Sequence, residues 1–443
     1  MSSTKVASDA NNIRVRAAQV EKLPPCQAHC PNSGDVRGWL GIIAQRDKNG
    51  LSRDGAYDKA WEMIAERNPI PASLARICPH PCEDLCTRAE KDGAVSINAM
   101  ERFLGDWAIS RSLPLPGIES ESRPESIGVV GSGPAGLSFA YQMARRGYGV
   151  TIYEQSDSAG GMLRHAIPDF RLPREILDAE LERLLNLNIS LVRNADVGST
   201  ISLEKLRGRH ALVFLGLGAQ AAKNLGVPGE TGPGVLSGIE YLRRRKQQPD
   251  AMDGKRVLVI GGGNTAIDAA RSARRDGAAV TVVYRRSEVE MPAAAAEVAD
   301  ARTEGVEFRF LLAPLRVVRE RDVVSGVEVQ EMQLGDPDEQ GRRRPEPVAG
   351  QSHHIPADVV SVAVAQAPDW HGMDSVMLAE RWFSTERDGQ LDEGVFAGGD
   401  DRGPGIASTA VAQGRQAAES AHTAGKALIV LKVGNSPVGV AAA

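Results

Sequence analysis

Short apolar runs, glycine-rich turns and helical stretches alternate along most of this chain. Ile127-Gly128-Val129-Val130 leads into Gly131-Ser132-Gly133-Pro134-Ala135-Gly136, and Val257-Leu258-Val259-Ile260 leads into Gly261-Gly262-Gly263-Asn264-Thr265-Ala266. Apolar runs bounded by such turns read as buried strands, and the residues after each turn have helical spacing. A second strand completes each unit: Tyr148-Gly149-Val150-Thr151-Ile152-Tyr153-Glu154 after the first turn, Ala279-Val280-Thr281-Val282-Val283-Tyr284 after the second. Helical patterns also cover 56–67 and 97–111, and the Pro- and Ser-rich stretch 113–126 reads as a linker. A late strand, Gly394-Val395-Phe396-Ala397, enters the turn Gly398-Gly399-Asp400, and a helix follows at about 409–424.

These elements predict an α/β chain. An N-terminal helical domain precedes two Rossmann-like dinucleotide-binding domains. The late strand and helix can return to finish the first of these, so the second is an insertion in it. The boundaries predicted are 1–123 for the helical, cysteine-containing domain and 124–240 for the first part of the first nucleotide domain. The second nucleotide domain takes 241–365, the returning part of the first 366–426, and a tail 427–443. The apolar run 427–433 reads either as an added strand or as an interface.

Each turn has a mechanical logic. The first glycine allows the sharp strand-to-helix reversal, and the second lets backbone approach a pyrophosphate. The third position, Gly136 or Ala266, lets helix and strand pack closely. The helix N-terminus then faces the anion. Glu154, followed by Gln155, ends the second strand of the first unit, where an acid would bind ribose hydroxyls. The bland alternative is an ordinary strand–turn–helix unit without a ligand. In the second unit Arg285 and Arg286 stand at the strand end. Guanidinium suits a 2′-phosphate; solvated loop residues are the plainer reading. Two dinucleotides held in one chain imply a flavin fed by a nicotinamide.

The chain has 443 residues, which suggests roughly three domains. Hydrophobic content of 42% and charged content of 25% are those of a globular protein. A net charge of −5 offers no general attraction to nucleic acid, and the short basic runs 243–246 and 342–344 read as solvated ends. No apolar run approaches the ~20 residues of a membrane span, and the first residues lack a secretory apolar core. A cytoplasmic location is expected. All five cysteines, Cys26, Cys30, Cys78, Cys82 and Cys86, fall in the N-terminal segment, which fits neither a disulfide framework nor scattered core use.

Further motifs carry a family resemblance. They are Pro25-Cys26-Gln27-Ala28-His29-Cys30-Pro31, the run from Arg76-Ile77-Cys78 to Cys86, Gly160-Gly161-Met162-Leu163-Arg164 and Ile167-Pro168-Asp169-Phe170-Arg171-Leu172-Pro173. With the two glycine turns and Ala397-Gly398-Gly399-Asp400, the chain resembles the small-subunit family of NADPH-dependent glutamate synthase. Its relatives include the N-terminal half of dihydropyrimidine dehydrogenase and flavin subunits of multi-subunit oxidoreductases. The resemblance runs from about residue 24 to about 424. It implies that the helical domain is of iron–sulfur type. It also implies that Gly131–Gly136 and Glu154 hold the ADP half of FAD, that Gly161, Met162, Leu163 and Arg164 pass near the flavin, and that Val197 contacts adenine. Gly399 and Asp400 match the turn near ribityl and pyrophosphate, and Ser408, Thr409, Ala410 and Val411 open the helix beneath the isoalloxazine. Gly261, Gly262, Gly263, Asn264 and Thr265 match the NAD(P) turn.

The cysteines depart from the fullest family pattern, which has more upstream. Two [4Fe–4S] clusters need about eight ligands, and five cysteines cannot supply them. One cluster is within reach. By resemblance Cys30, Cys78 and Cys82 are three of its ligands, with Glu101 standing where some relatives have a fourth. Cys26 and Cys86 match remnants of the other cluster, and either is an alternative fourth ligand. A metal-free domain with buried thiols and a zinc site helped by His29 or His80 are the competing readings.

No cysteine follows Cys86, so a thioredoxin-reductase-type dithiol beside the nicotinamide is excluded. The function expected is an FAD-dependent electron-transfer subunit. It would exchange hydride with NAD(H) or NADP(H) and single electrons with iron–sulfur and catalytic subunits of a larger oxidoreductase, of glutamate synthase or molybdenum/tungsten type. No side-chain catalytic residue is required. The alternatives are a free-standing NAD(P)H oxidoreductase or transhydrogenase, and a non-redox adaptor.

Overall fold

The computed structural model describes residues 23–434 apart from 120, 247–251, 340, 370, 374–375, 377–381, 384 and 386–387, with side chains to 423. Helices Val36–Ala44, Arg53–Ala65, Pro71–Ile77 and Ile97–Ser110 form the N-terminal domain. The two longer ones coincide closely with the helical patterns at 56–67 and 97–111.

The first sheet has six strands. Ser126–Val130 lies centrally, parallel to Gly149–Tyr153 on one side and Leu212–Leu215 on the other. Ile189–Val192 forms one edge. Val395–Ala397 pairs parallel with Leu212–Leu215, and Gln390–Asp392 closes the other edge. A strand from near residue 395 therefore completes a sheet begun at 126, and the second nucleotide domain is inserted between them.

The second sheet is wholly parallel, in the order Val235–Ser237, Val359–Val362, Arg256–Ile260, Ala279–Tyr284, Glu307–Phe310. Its edge strand Val235–Ser237 pairs with Val360 to Val362, so this sheet begins inside the segment 124–240 that sequence reading assigned to the first domain. Three residues with half-buried side chains carry little periodic signal; the pairing partner, more than a hundred residues away, decides. An antiparallel ribbon, Leu312–Glu320, Val323–Pro337 and Arg343–Pro356, packs on this sheet, its Val317, Val327, Val329 and Ile355 sharing a core with Leu258, Ile260 and Val360. The two connections between domains pair with each other, Ala221–Ala222 against Gln366–Ala367.

The helix Ala407–Gly434 extends the predicted 409–424 and includes the backbone of 427–433, which is therefore helical rather than an added strand. It packs on Pro134–Ala144 so closely that a Cβ at Gly414 would stand 2.2 Å from the Ala135 carbonyl oxygen.

The helical domain shares a continuous core with the first sheet, in which Trp39, Trp61 and Leu104 join Leu137, Phe139 and Tyr141. Polar ties reinforce it. Glu180, fully buried, accepts from Ala72 N and Ser73 N, both at 2.8 Å, and so caps helix Pro71–Ile77 from another domain. Gln142 Nε2 and Arg145 Nη1 both donate to the Glu66 carbonyl. No described helix is long and apolar enough to cross a membrane.

Candidate functional site: a dinucleotide cleft beside a thiol cavity

The first glycine of each turn passes equally close to a carbonyl at the end of a neighbouring strand. Gly131 has φ +87°, and a Cβ there would lie 2.2 Å from Gly216 O; Gly261 has φ +148° and would meet Ala363 O at the same distance. Both turns admit only glycine. At the third position of the first turn, a Cβ on Gly136 would meet Gly131 O at 2.0 Å. The middle glycines differ: a Cβ at Gly133 or Gly263 would meet nothing within 4 Å. Space is kept at the one position where a pyrophosphate must approach backbone.

The helices that follow, Pro134–Ala144 and Asn264–Arg275, have Gly133 and Gly263 as N-caps and no side-chain cap. Helices Arg53–Ala65, Leu203–Arg209 and Gly238–Arg245 are instead capped by Ser52, Ser202 and Ser237. The uncapped N–H groups and the positive end of the helix dipole suit phosphate.

A cleft of about 620 Å³ runs from the first turn to the second domain. Of the expected site residues it is lined by Gly131 to Ala135, Glu154, Gln155, Gly161, Met162, Leu163, Val197, Gly399, Asp400, Ala410, Asn264 and Thr265. Glu154 is 4% exposed. One oxygen accepts from Ser132 N at 3.0 Å and from Ser132 Oγ, the other from Ser156 N at 2.9 Å and from Ser156 Oγ, which orients the carboxylate; a ribose hydroxyl would bind it by taking the place of a serine hydroxyl. Gly161 crosses Gly133 so closely that a Cβ would come within 2.8 Å of its Cα. Asp400 accepts from Gly405 N at 3.1 Å, and burial pushes its carboxyl up.

Several expected residues lie elsewhere. Arg164 turns back to Ala159 O and Asp178 and supports the loop rather than the cleft. Ser408 faces the N-terminal domain, and Val411 is core, its carbonyl accepting from Ser138 Oγ at 2.7 Å. Their helix turns only part of its first residues, Ala407 and Ala410, toward the cleft. Arg286 is buried beside the turn that joins Val323–Pro337 to Arg343–Pro356, donating to Arg343 O at 2.7 Å and pairing with Asp338. Arg285 is exposed and makes no hydrogen bond or ion pair among the described residues, so it is the arginine with a free guanidinium.

Sequence reasoning missed Asp401, which is fully buried and accepts from Leu217 N at 3.0 Å and from Gly218 N. It ties the returning segment to the turn after Leu212–Leu215; loss of hydration pushes it up to about 7. The sole hint in sequence was the doubled acid Asp400-Asp401. It also assigned no role to Arg171 and Asp268, which pair across the cleft.

Behind the cleft lies a small cavity lined by Cys30, Cys78, Cys82, Glu101, Asn98 and Ser408 among others. Three cysteines from two distant segments and Glu101 from the following helix thus share one space. All five cysteines are free thiols. Burial pushes Cys82 up to about 12, with Cys30 and Cys78 beside it adding to the rise, and burial also raises Cys78. Glu101 is pushed up to about 7 by desolvation, although Asn68 Nδ2 donates to it at 3.1 Å. A donor set of this kind fits a cationic iron–sulfur group, which takes thiolates outright. Among the described residues no three His, Cys, Asp or Glu converge as a single ion such as zinc requires. Cys26 and Cys86 do not line this cavity. They sit near each other at the surface end; burial raises Cys26, and N–H groups of Val95 and Arg88 lower Cys86.

A parallel sheet with a glycine turn at each of two nucleotide sites, one domain inserted in the other, defines a two-dinucleotide flavin oxidoreductase. Residues 125–414 match the pyridine nucleotide-disulphide oxidoreductase family, and 7–113 match the dihydropyrimidine dehydrogenase domain II, 4Fe-4S cluster family. The small chain of NADPH glutamate synthase from Escherichia coli is 33% identical over 89% of this chain and 87% of its own length. The chain belongs to this glutamate synthase small-chain family, an NAD(P)-dependent flavin oxidoreductase with FAD and NAD(P)H as cofactors and an N-terminal domain of 4Fe-4S type.

The β subunit of NADP(+)-dependent formate dehydrogenase from Moorella thermoacetica is 37% identical over 89% of this chain. The chain spans 59% of that protein's length, and 51% of the β subunit of NADPH-Fe(3+) oxidoreductase from Geobacter sulfurreducens. Among solved structures, Mycobacterium tuberculosis FprA in complex with NADPH shares the fold, with TM-score 0.61 at 19% identity over 70% of this chain and 86% of that one. Thioredoxin reductase of T. acidophilum gives 0.54 at 21% identity, over 70% of this chain and 100% of its own.

Proposed function

We propose that this chain is the FAD-dependent electron-transfer subunit of a larger cytoplasmic oxidoreductase, linking NADP(H) to iron–sulfur centres of a partner catalytic subunit. The observation that carries the reading is the wall between the two cavities. Ile77 and Pro79 line the dinucleotide cleft, while Cys78 between them lines the thiol cavity. Its Sγ stands 3.8 Å from Ser408 Oγ, on the helix that gives Ala407 and Ala410 to the cleft. Electron exchange falls steeply with distance, and a one-residue partition keeps the distance short.

When bound, FAD and the nicotinamide supply hydride chemistry and its conversion to single electrons. The chain binds and orients. The uncapped helices would hold the pyrophosphates, Glu154 the adenosine ribose, Val197 the adenine, Asp400 the ribityl hydroxyls and Arg285 the 2′-phosphate. Cys30, Cys78 and Cys82 with Glu101 would hold a 4Fe-4S cluster. The similarity to a formate dehydrogenase β subunit and a glutamate synthase small chain, together with Arg285, supports NADP(H) and a partner of one of those types.

The purified chain should be yellow and reduce artificial dyes with NADPH, since that needs no partner. Oxidation of formate or synthesis of glutamate should appear only with added partner subunits. Physiological turnover by the isolated chain would reject the subunit reading for a free-standing enzyme, and a colourless, dye-inactive chain would reject the redox reading.

A further inference from the structure

The loop that follows Met162–His165 belongs to the first domain, yet two of its consecutive side chains are seated on the second. Arg171 Nη1 donates to both carboxylate oxygens of Asp268 at 2.8 Å. Glu297 stands 3.0 Å from Arg171 Nε, close enough for charge pairing though off the N–H axis. Both partners of the main pair are buried, with side chains 10% and 8% exposed. Phe170 lies under Arg275 and Arg271, whose guanidinium carbons are 3.9 and 4.9 Å from the ring centroid. Arg271 and Arg275 are in turn held by Glu304, and Arg271 also by Glu297.

The helix that receives these contacts is Asn264–Arg275, which begins at the second glycine turn. Asp268 is one helical turn beyond Asn264, and both line the cleft, as does Arg171. A buried arginine–carboxylate pair, here with Nη1 shared by both oxygens, is costly to break. Here it joins the flavin-side loop to the helix whose N-terminus faces the nicotinamide dinucleotide. The two peptide links between the domains pair with each other over two residues, Ala221–Ala222 against Gln366–Ala367.

We infer that Phe170 and Arg171 form a positioning brace, in which Arg171 through Asp268 sets how the nicotinamide-binding domain presents its nucleotide to the flavin cleft. The inference rests on the two-dinucleotide reading above. Arg171 is a positioning residue: it needs no bond to the reacting atoms, because a displacement of about 1 Å between them costs on the order of a hundredfold in rate.

The test compares wild type with Arg171→Ala, Arg171→Lys and Asp268→Asn by rapid mixing with NADPH and by titration with NADP+. Arg171→Ala should slow flavin reduction at saturating NADPH by about tenfold or more, with a change in apparent affinity below about threefold. The long-wavelength absorbance of stacked flavin and nicotinamide should weaken, and Arg171→Lys should recover only part of it. In the flavin-free chain, amide hydrogen exchange in 264–275 should quicken in Arg171→Ala. If Arg171→Ala loses flavin, Asp268→Asn carries the test, because it is nearly isosteric and lies wholly on the second domain. Unchanged reduction rate, absorbance and exchange in Asp268→Asn would overturn the brace. A wild-type chain that binds no flavin would instead overturn the reading beneath it.

Discussion

The dinucleotide cleft and the thiol cavity behind it are built on opposite principles. The two glycine turns at the cleft are made of backbone. Gly131, Gly136 and Gly261 admit strand against helix, Gly133 and Gly263 leave room, and uncapped N–H groups face the ligand. The cavity is made of side chains brought from Cys30, from the run 78–82 and from Glu101, held by a helix whose N-terminus is capped by Glu180 of another domain. A backbone site is specified by a short local motif and fails by a single added methyl group. A side-chain site depends on the packing of distant elements and fails by loss of a donor.

The largest effect expected separates the roles of two glycines in one turn. Gly133→Val should abolish FAD binding while the fold survives, because its Cβ meets no protein atom within 4 Å. Gly131→Ala should instead destabilise the fold by about 2 kcal/mol or more, since φ is +87° and Gly216 O is 2.2 Å from the new Cβ. Flavin content and thermal melting distinguish them; full FAD in Gly133→Val breaks the assignment.

For the cavity the expected readout is metal. Anaerobic analysis should find about four irons per chain, since five cysteines cannot hold two clusters. Cys78→Ser should lose most of that iron, whereas Cys86→Ser, outside the cavity, should keep it. About eight irons per chain, or equal loss in both variants, would erase the difference between the two cysteine groups.

A smaller effect concerns the nicotinamide end. Wild type should prefer NADPH to NADH in flavin reduction, and Arg285→Ala should reduce that preference on the order of tenfold. Arg286→Ala should lower stability and leave the preference, because its guanidinium is committed to Arg343 O and Asp338. A wild-type preference for NADH removes the role of Arg285.

The smallest effect is a pH slope. Burial raises Asp401 to about 7 from an ordinary 3.8, so the folded chain holds a proton that the unfolded chain releases. That contribution is fully present below about pH 4 and is lost as pH rises through about 7. Glu101 and Glu180, raised to about 7, and Asp268, raised to about 6, act in the same direction. Asp401→Asn should therefore lessen the fall in melting temperature between pH 5 and 8 by a few °C, on the order of one buried group's share. An identical slope in the variant would show that Asp401 is charged in the fold at all these values.

By itself the sequence determined the two glycine turns, their strands and the insertion of one domain in the other, because reversal and close approach are demands on consecutive residues. It also limited the iron, because ligands can be counted without knowing where they are. Only the tertiary structure decided which groups meet. It turned Arg286 inward and left Arg285 free, aimed Ser408 at Cys78 rather than the cleft, and moved Val235–Ser237 into the second sheet. It buried Asp401 against Leu217 and Gly218, and seated Arg171 on Asp268 almost a hundred residues away. Each of these rests on a partner from a distant element, and a local pattern of apolar and polar positions holds no record of what another segment will place beside it.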